Sequence, residues 1–152
     1  MPQKLVLEGD SESKFILLGE DDPDDQEMLA EVFSSIDKAF TLFFVNNGSE
    51  VLSALHKLND KQLPCLIVLD YNMPGLNGAD ILREIGSDPR FTKIPKIVWS
   101  TSNSEQFRST CMALGAQDYV IKPASGRDLE QIALYMLSLC GFPEYPSTKN
   151  SN

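Results

Sequence analysis

Asp70 closes an unbroken apolar run, Leu66-Ile67-Val68-Leu69, and is followed by Tyr71-Asn72 and a Met73-Pro74-Gly75 turn. Three further apolar runs end in reactive groups of their own. Phe15-Ile16-Leu17-Leu18 leads through Gly19 to Glu20 and Asp21, Lys96-Ile97-Val98-Trp99 leads to Ser100, and Asp118-Tyr119-Val120-Ile121 runs into Lys122-Pro123. If these ends meet, three carboxylates converge, and they repel one another unless a cation sits among them. Oxygen-only ligands without a His/Cys cluster point to a hard ion, Mg²⁺ first. Lys122 adds a mobile ammonium and Ser100 a hydroxyl donor. A carboxylate so surrounded is equipped to attack phosphorus, giving an aspartyl phosphate, with the assisting groups stabilising charge on the transferring phosphoryl. Each residue alone has a plainer reading: an Asp that caps a turn, a Ser that ends a strand, an ordinary Lys-Pro pair. The order in which they recur is the informative part.

The elements that must gather them are legible from the pattern. A run apolar at every position suits a strand covered on both faces, as in parallel sheets. Open α/β sheets place their ligands at the carboxyl ends of such strands. Strands are expected at 15–18, 41–45, 66–70, 96–100 and 118–121. Between them, Met28, Leu29, Val32, Phe33 and Ile36 have helical spacing after an Asp22 cap and Pro23, so Asp24 and Asp25 read as acids of a helix first turn. Ser49 is expected to cap a second helix with the stripe Val51, Leu52, Leu55 and Leu58; the single histidine, His56, falls outside it and reads as exposed. Helices are expected over 78–85, 104–114 (ending at Gly115) and 126–140, with a loop at 87–92. Trp99 should face away from Ser100 and into the core. Five strands alternating with five helices give an α/β fold with a doubly wound parallel sheet.

Composition bounds the rest. The 152 residues are 42% hydrophobic and 23% charged, which is ordinary for one globular domain. A formal charge of −9, from 13 basic and 22 acidic residues, argues against nucleic acid and against anionic membranes as partners. No apolar run approaches the ~18 residues of a membrane span. Residues 1–13 look like a flexible lead-in without signal-peptide character, and 141–152 like a flexible tail. Cys65, Cys111 and Cys140 are odd in number and widely spaced, and they read as reduced core thiols of a cytoplasmic protein.

Over roughly 14–140 the chain resembles a receiver domain of the two-component response regulators, of the single-domain chemotaxis and phytochrome-linked kind. Glu20-Asp21, Asp70 with Met73-Pro74 and Gly78, Ser100 and Lys122-Pro123 carry the resemblance. It implies a flavodoxin-like sheet of order 2-1-3-4-5. It makes Asp70 the phosphoacceptor, and Glu20, Asp21, Asp70 and the Asn72 backbone carbonyl the Mg²⁺ ligands. Ser100 and Lys122 become the assisting groups, Ser100 and Tyr119 a conformational switch, and Lys122–Pro123 a cis bond. Glu20 stands where Asp is commoner and reaches further; Gly19 replaces a branched aliphatic residue and should loosen the strand end. Asn72 and Ser102 occupy positions that tune dephosphorylation in the family.

Three functions compete. In the first, Asp70 takes a phosphoryl group from a sensor histidine kinase or phosphotransfer protein and signals by protein contact. That contact is with a downstream target or, as a homodimer, through the last two helices. In the second, the chain is an Asp-nucleophile phosphohydrolase; such enzymes usually carry an acid/base Asp two residues on, where this chain has Asn72. In the third, it is an interaction module that takes no phosphate. The resemblance and the full set of site groups favour the first, a signalling protein with no turnover beyond its own phosphorylation and dephosphorylation.

Overall fold

The computed structural model describes residues 14–38 and 40–141. The expected lead-in 1–13, and the expected tail beyond Gly141, lie outside the described residues. In chain order the elements are β1 (Phe15–Gly19), α1 (Pro23–Ile36), β2 (Thr41–Val45), α2 (Gly48–Lys57), β3 (Leu66–Asp70), α3 (Gly78–Gly86), β4 (Lys96–Ser100), α4 (Glu105–Ala113), β5 (Asp118–Ile121) and α5 (Gly126–Leu139). All strand pairs are parallel and the order is β2-β1-β3-β4-β5, the flavodoxin-like order that was expected. The 87–92 loop holds a short 3₁₀ turn, Pro89–Phe91, which Asp88 caps.

Alternate residues of each strand feed two cores. Phe15, Leu17, Ile67, Leu69, Val98 and Tyr119 pack under α2, α3 and α4. Ile16, Leu18, Leu66, Val68, Ile97 and Trp99 pack under α1 and α5. Burial on both faces is what an uninterrupted apolar run requires. The helices start where side chains satisfy their free N–H groups. Asp22 accepts from Asp24 N, and Asn77 and Asp80 form a reciprocal capping box. Gly115 follows α4 at φ 104°, a conformation that costs glycine nothing.

Several expectations need correction. Asn47, not Ser49, caps α2, accepting from Glu50 N at 2.9 Å. Met28 is 43% exposed and stands outside the α1 stripe, which buries Leu29 and Phe33. Gly19 does not loosen β1: a Cβ there would come within 2.8 Å of Val51 Cγ2 and 3.0 Å of Met73 Sδ, so its missing side chain admits close packing. The peptide bond before Pro123 is trans, since no described bond is cis, and the two isomers of an X–Pro bond differ by only ~0.5–1 kcal/mol. Cys65 and Cys140 are not free thiols but a disulfide. Cys65 lies just before β3 and Cys140 caps α5, which brings their Cα atoms to 4.9 Å across 75 residues of sequence. Cys111 alone is a free, buried thiol, and burial pushes it up to about 11.

Candidate functional site

Parallel pairing aligns the carboxyl ends of β1, β3, β4 and β5 along one rim. Gly19 pairs with Leu69, Asp70 with Trp99 and Ser100 with Ile121, so the residues just beyond are neighbours. The backbone ladder runs on past the strands, with Glu20 N–H donating to Val45 O at 2.9 Å and Lys122 N–H to Ser100 O at 2.8 Å. Four of the predicted site residues meet there. Glu20, Asp21 and Asp70 each offer an oxygen within 4.8 Å of the others'. Lys122 Nζ lies 2.9 Å from both Glu20 Oε1 and Asp70 Oδ2.

The environments of the acids differ. Asp21 is exposed, whereas Glu20 is fully buried and Asp70 nearly so. Burial pushes the Glu20 carboxyl up to about 7, and the negative charge of Asp70 adds to this. The Asp22 N–H and Lys122 pull the other way. Burial pulls the Lys122 ammonium down, but hydrogen bonds to Asp25, Asp70 and Glu20 prevail and hold it above its ordinary range. Asp70 Oδ1 accepts from Asn72 N at 3.0 Å, which fixes the carboxylate against the turn that follows β3.

Ser100 is buried on the same rim, and its Oγ accepts from Ser102 N at 3.0 Å. Tyr119 points inward, 2% exposed, and its hydroxyl donates to Ser102 O at 2.9 Å. The two expected switch residues therefore meet through the backbone of Ser102, with the Arg108 guanidinium 5.3 Å from the Tyr119 ring centroid. Asn72 is exposed beside Asp70.

Sequence reasoning missed two members. Asp25, taken as a first-turn acid of α1, lies 2.9 Å from Lys122 Nζ through Oδ2. Trp99 is in the core as expected, yet its Nε1–H donates to Glu20 Oε1 at 3.0 Å. A helix whose first turn faces the rim can offer an acid to it, but the linear pattern gives no sign of which acid turns inward. Three carboxylates (Glu20, Asp25, Asp70) share the ammonium of Lys122, and Asp21 stands as a fourth carboxylate beside Glu20 and Asp70. An all-oxygen donor set with that excess of negative charge fits a hard divalent cation.

Comparisons with known proteins agree with this geometry. A family model for the response regulator receiver domain matches residues 16–134. The two-component response regulator ORR1 of Oryza sativa subsp. japonica is 28% identical over 130 residues, which cover 83% of this chain and 56% of the relative. The chain thus spans little more than half the length of that relative. Among solved structures, the phosphorylated cyanobacterial phytochrome response regulator RcpA is 31% identical with a TM-score of 0.74, covering 83% of this chain and 95% of its own. The Mn²⁺-bound form of response regulator Rcp1 is 28% identical with a TM-score of 0.70, covering 79% of this chain and 88% of its own. A β2-β1-β3-β4-β5 sheet, an acidic rim around one lysine and a family match over most of the chain lead to one conclusion: the chain belongs to the response regulator receiver domain family.

Proposed function

We propose that this chain is a phosphoacceptor signalling module in which Asp70 receives a phosphoryl group from the phosphohistidine of a sensor histidine kinase or phosphotransfer protein. The observation that carries the reading is the Lys122 ammonium, 2.9 Å from Asp70 Oδ2, beside two further carboxylates that reach the same point. An Asp70 oxygen attacks phosphorus as the P–N bond breaks and its electron pair returns to the imidazole; one P–O bond replaces one P–N bond. Glu20, Asp21, Asp70 and the Asn72 carbonyl would hold a Mg²⁺ ion, which would supply positive charge to the phosphoryl oxygens when bound. Lys122, already paired with Asp70, follows the negative charge onto the phosphoryl group. The Asn72 N–H keeps Asp70 aimed out of the β3 end. Little proton transfer is needed, which suits a site without histidine.

Phosphorylation draws the Ser100 hydroxyl toward the new oxygens and away from Ser102 N–H. Because Tyr119 holds the carbonyl of that same Ser102, the change is passed to the α4–β5 face. That face carries the exposed apolar residues Met112 and Ile121, which supports readout by protein contact, with a downstream target or in a homodimer through α4 and α5. A cytoplasmic location belongs to this reading; no helix among the described residues is long and apolar enough to cross a membrane.

The test is incubation with a small phosphoramidate donor, and separately with a phosphorylated kinase, each with Mg²⁺. Stable labelling that disappears in Asp70→Asn and with a chelator is expected. Repeated turnover of a phosphate ester, or labelling that survives Asp70→Asn, would contradict the reading.

A further inference from the structure

Trp99 is buried beside the acid cluster, and phosphoryl chemistry gives it no task. It is the only tryptophan of the chain and is 1% exposed. Its Nε1–H donates to Glu20 Oε1 at 3.0 Å, on the oxygen that also takes Lys122 Nζ at 2.9 Å. The other oxygen, Oε2, accepts from Asp22 N at 2.9 Å. A carboxylate offers about four acceptor directions, two on each oxygen. Oε1 is therefore filled by two donors, while Oε2 has one donor and one open direction. The Trp99 ring also underlies the ammonium of Lys122, with Nζ 5.0 Å from the ring centroid, so the indole meets both members of the Glu20–Lys122 pair.

We propose that Trp99 is a positioning residue for the divalent-ion site: its indole N–H ties down Oε1 so that Glu20 presents Oε2 alone to the ion. The inference rests on the proposed role of Glu20 as a metal ligand. Glutamate has one more methylene than aspartate and one more rotatable bond to fix, and without a fixed partner its carboxylate could swing toward Lys122 or turn both oxygens outward. A packed indole provides that partner at a defined angle. Hydrogen bonds from outer groups to ligating side chains orient the ligands in just this way.

Because the chain has one tryptophan, biosynthetic replacement by benzothienylalanine puts sulfur in place of a single N–H and keeps the shape of the ring. Mg²⁺ affinity of the full chain is then measured by calorimetry, with Trp99→Phe as a second variant. Both should bind Mg²⁺ about tenfold more weakly, the usual loss when an outer partner of a ligand is removed. In a Glu20→Gln background the same replacement should change affinity less than about twofold, because the coupled partner is already gone. A merely structural tryptophan would lower the unfolding midpoint and leave Mg²⁺ affinity unchanged. Wild-type affinity in the benzothienyl protein would overturn the positioning role and leave the metal reading standing. No divalent binding by the unsubstituted chain would overturn both.

Discussion

The two ends of the sheet handle buried charge in opposite ways. At the amino ends of the strands each polar group finds a local match. Lys96, buried at the start of β4, donates to Phe91 O at 2.6 Å, and Asp118 at the start of β5 accepts from Tyr135 OH at 2.9 Å. Arg90 joins Asp60 at 2.7 Å and also reaches the Leu58 carbonyl. The Cys65–Cys140 bridge ties the same end together. At the carboxyl ends Glu20, Asp25 and Asp70 all pair with Lys122, and Asp21 adds a fourth carboxylate beside Glu20 and Asp70. Among the described residues no buried side-chain polar atom lacks a hydrogen-bond partner, so neither end is careless. The difference lies in charge balance: one end is closed and complete, the other is bonded yet short of positive charge. A site that must accept a cation and a phosphoryl group in turn needs that imbalance.

The contrast can be broken at either end, with different results. The largest effect is expected from Lys122→Met, which strands the buried Glu20 and Asp70 without their cation. Stability should fall by about 3–5 kcal/mol in urea unfolding, and the labelling rate by about 100-fold. Cys140→Ser at the opposite end should cost about 2–5 kcal/mol under non-reducing conditions, since it frees a long loop in the unfolded chain. Its labelling rate should stay near wild type. Tyr135→Phe removes the donor to the buried Asp118 carboxylate and should cost about 1–3 kcal/mol, again without touching labelling. An amino-end variant that slowed labelling as much as Lys122→Met would erase the distinction.

The most gradual effect is one of pH. The Glu20 carboxyl is raised from 4.5 to about 7, chiefly by burial. Between those values the folded chain holds a proton that the unfolded chain has released, so stability without metal should decline as pH rises from about 5 to about 7 and then level off. Divalent binding should strengthen over the same range as the competing proton leaves. Urea midpoints across that range with a chelator present, compared with Glu20→Gln, check the slope; the variant should lack this contribution.

Much of the rim was legible because parallel strands announce both their identity and their direction. A solid apolar run ending in a reactive residue states where that residue will lie, and this was enough for Glu20, Asp21, Asp70, Ser100 and Lys122. Asp25 and Trp99 escaped for the opposite reason. Each already had a complete local explanation, as a helix first-turn acid and as a core-facing strand residue, and nothing in the linear pattern signals a second task. The disulfide escaped because its partners stand 75 residues apart and meet only when α5 packs back over the start of β3. Asn47 displaced Ser49 as a cap because two residues of similar capping strength stand two positions apart, on either side of Gly48, a choice the following turn decides.

The most direct measurement is to trap the acyl phosphate after exposure to a phosphodonor and Mg²⁺. Borohydride reduction converts a phosphorylated aspartate to homoserine, and mass spectrometry of the peptides locates it. Homoserine at position 70 alone is expected, since Asp70 combines burial, the Asn72 N–H and Lys122 at 2.9 Å. Homoserine at position 21 or 25, reduction of Glu20, or no trapped residue under conditions where a kinase donor is consumed, would contradict the assignment.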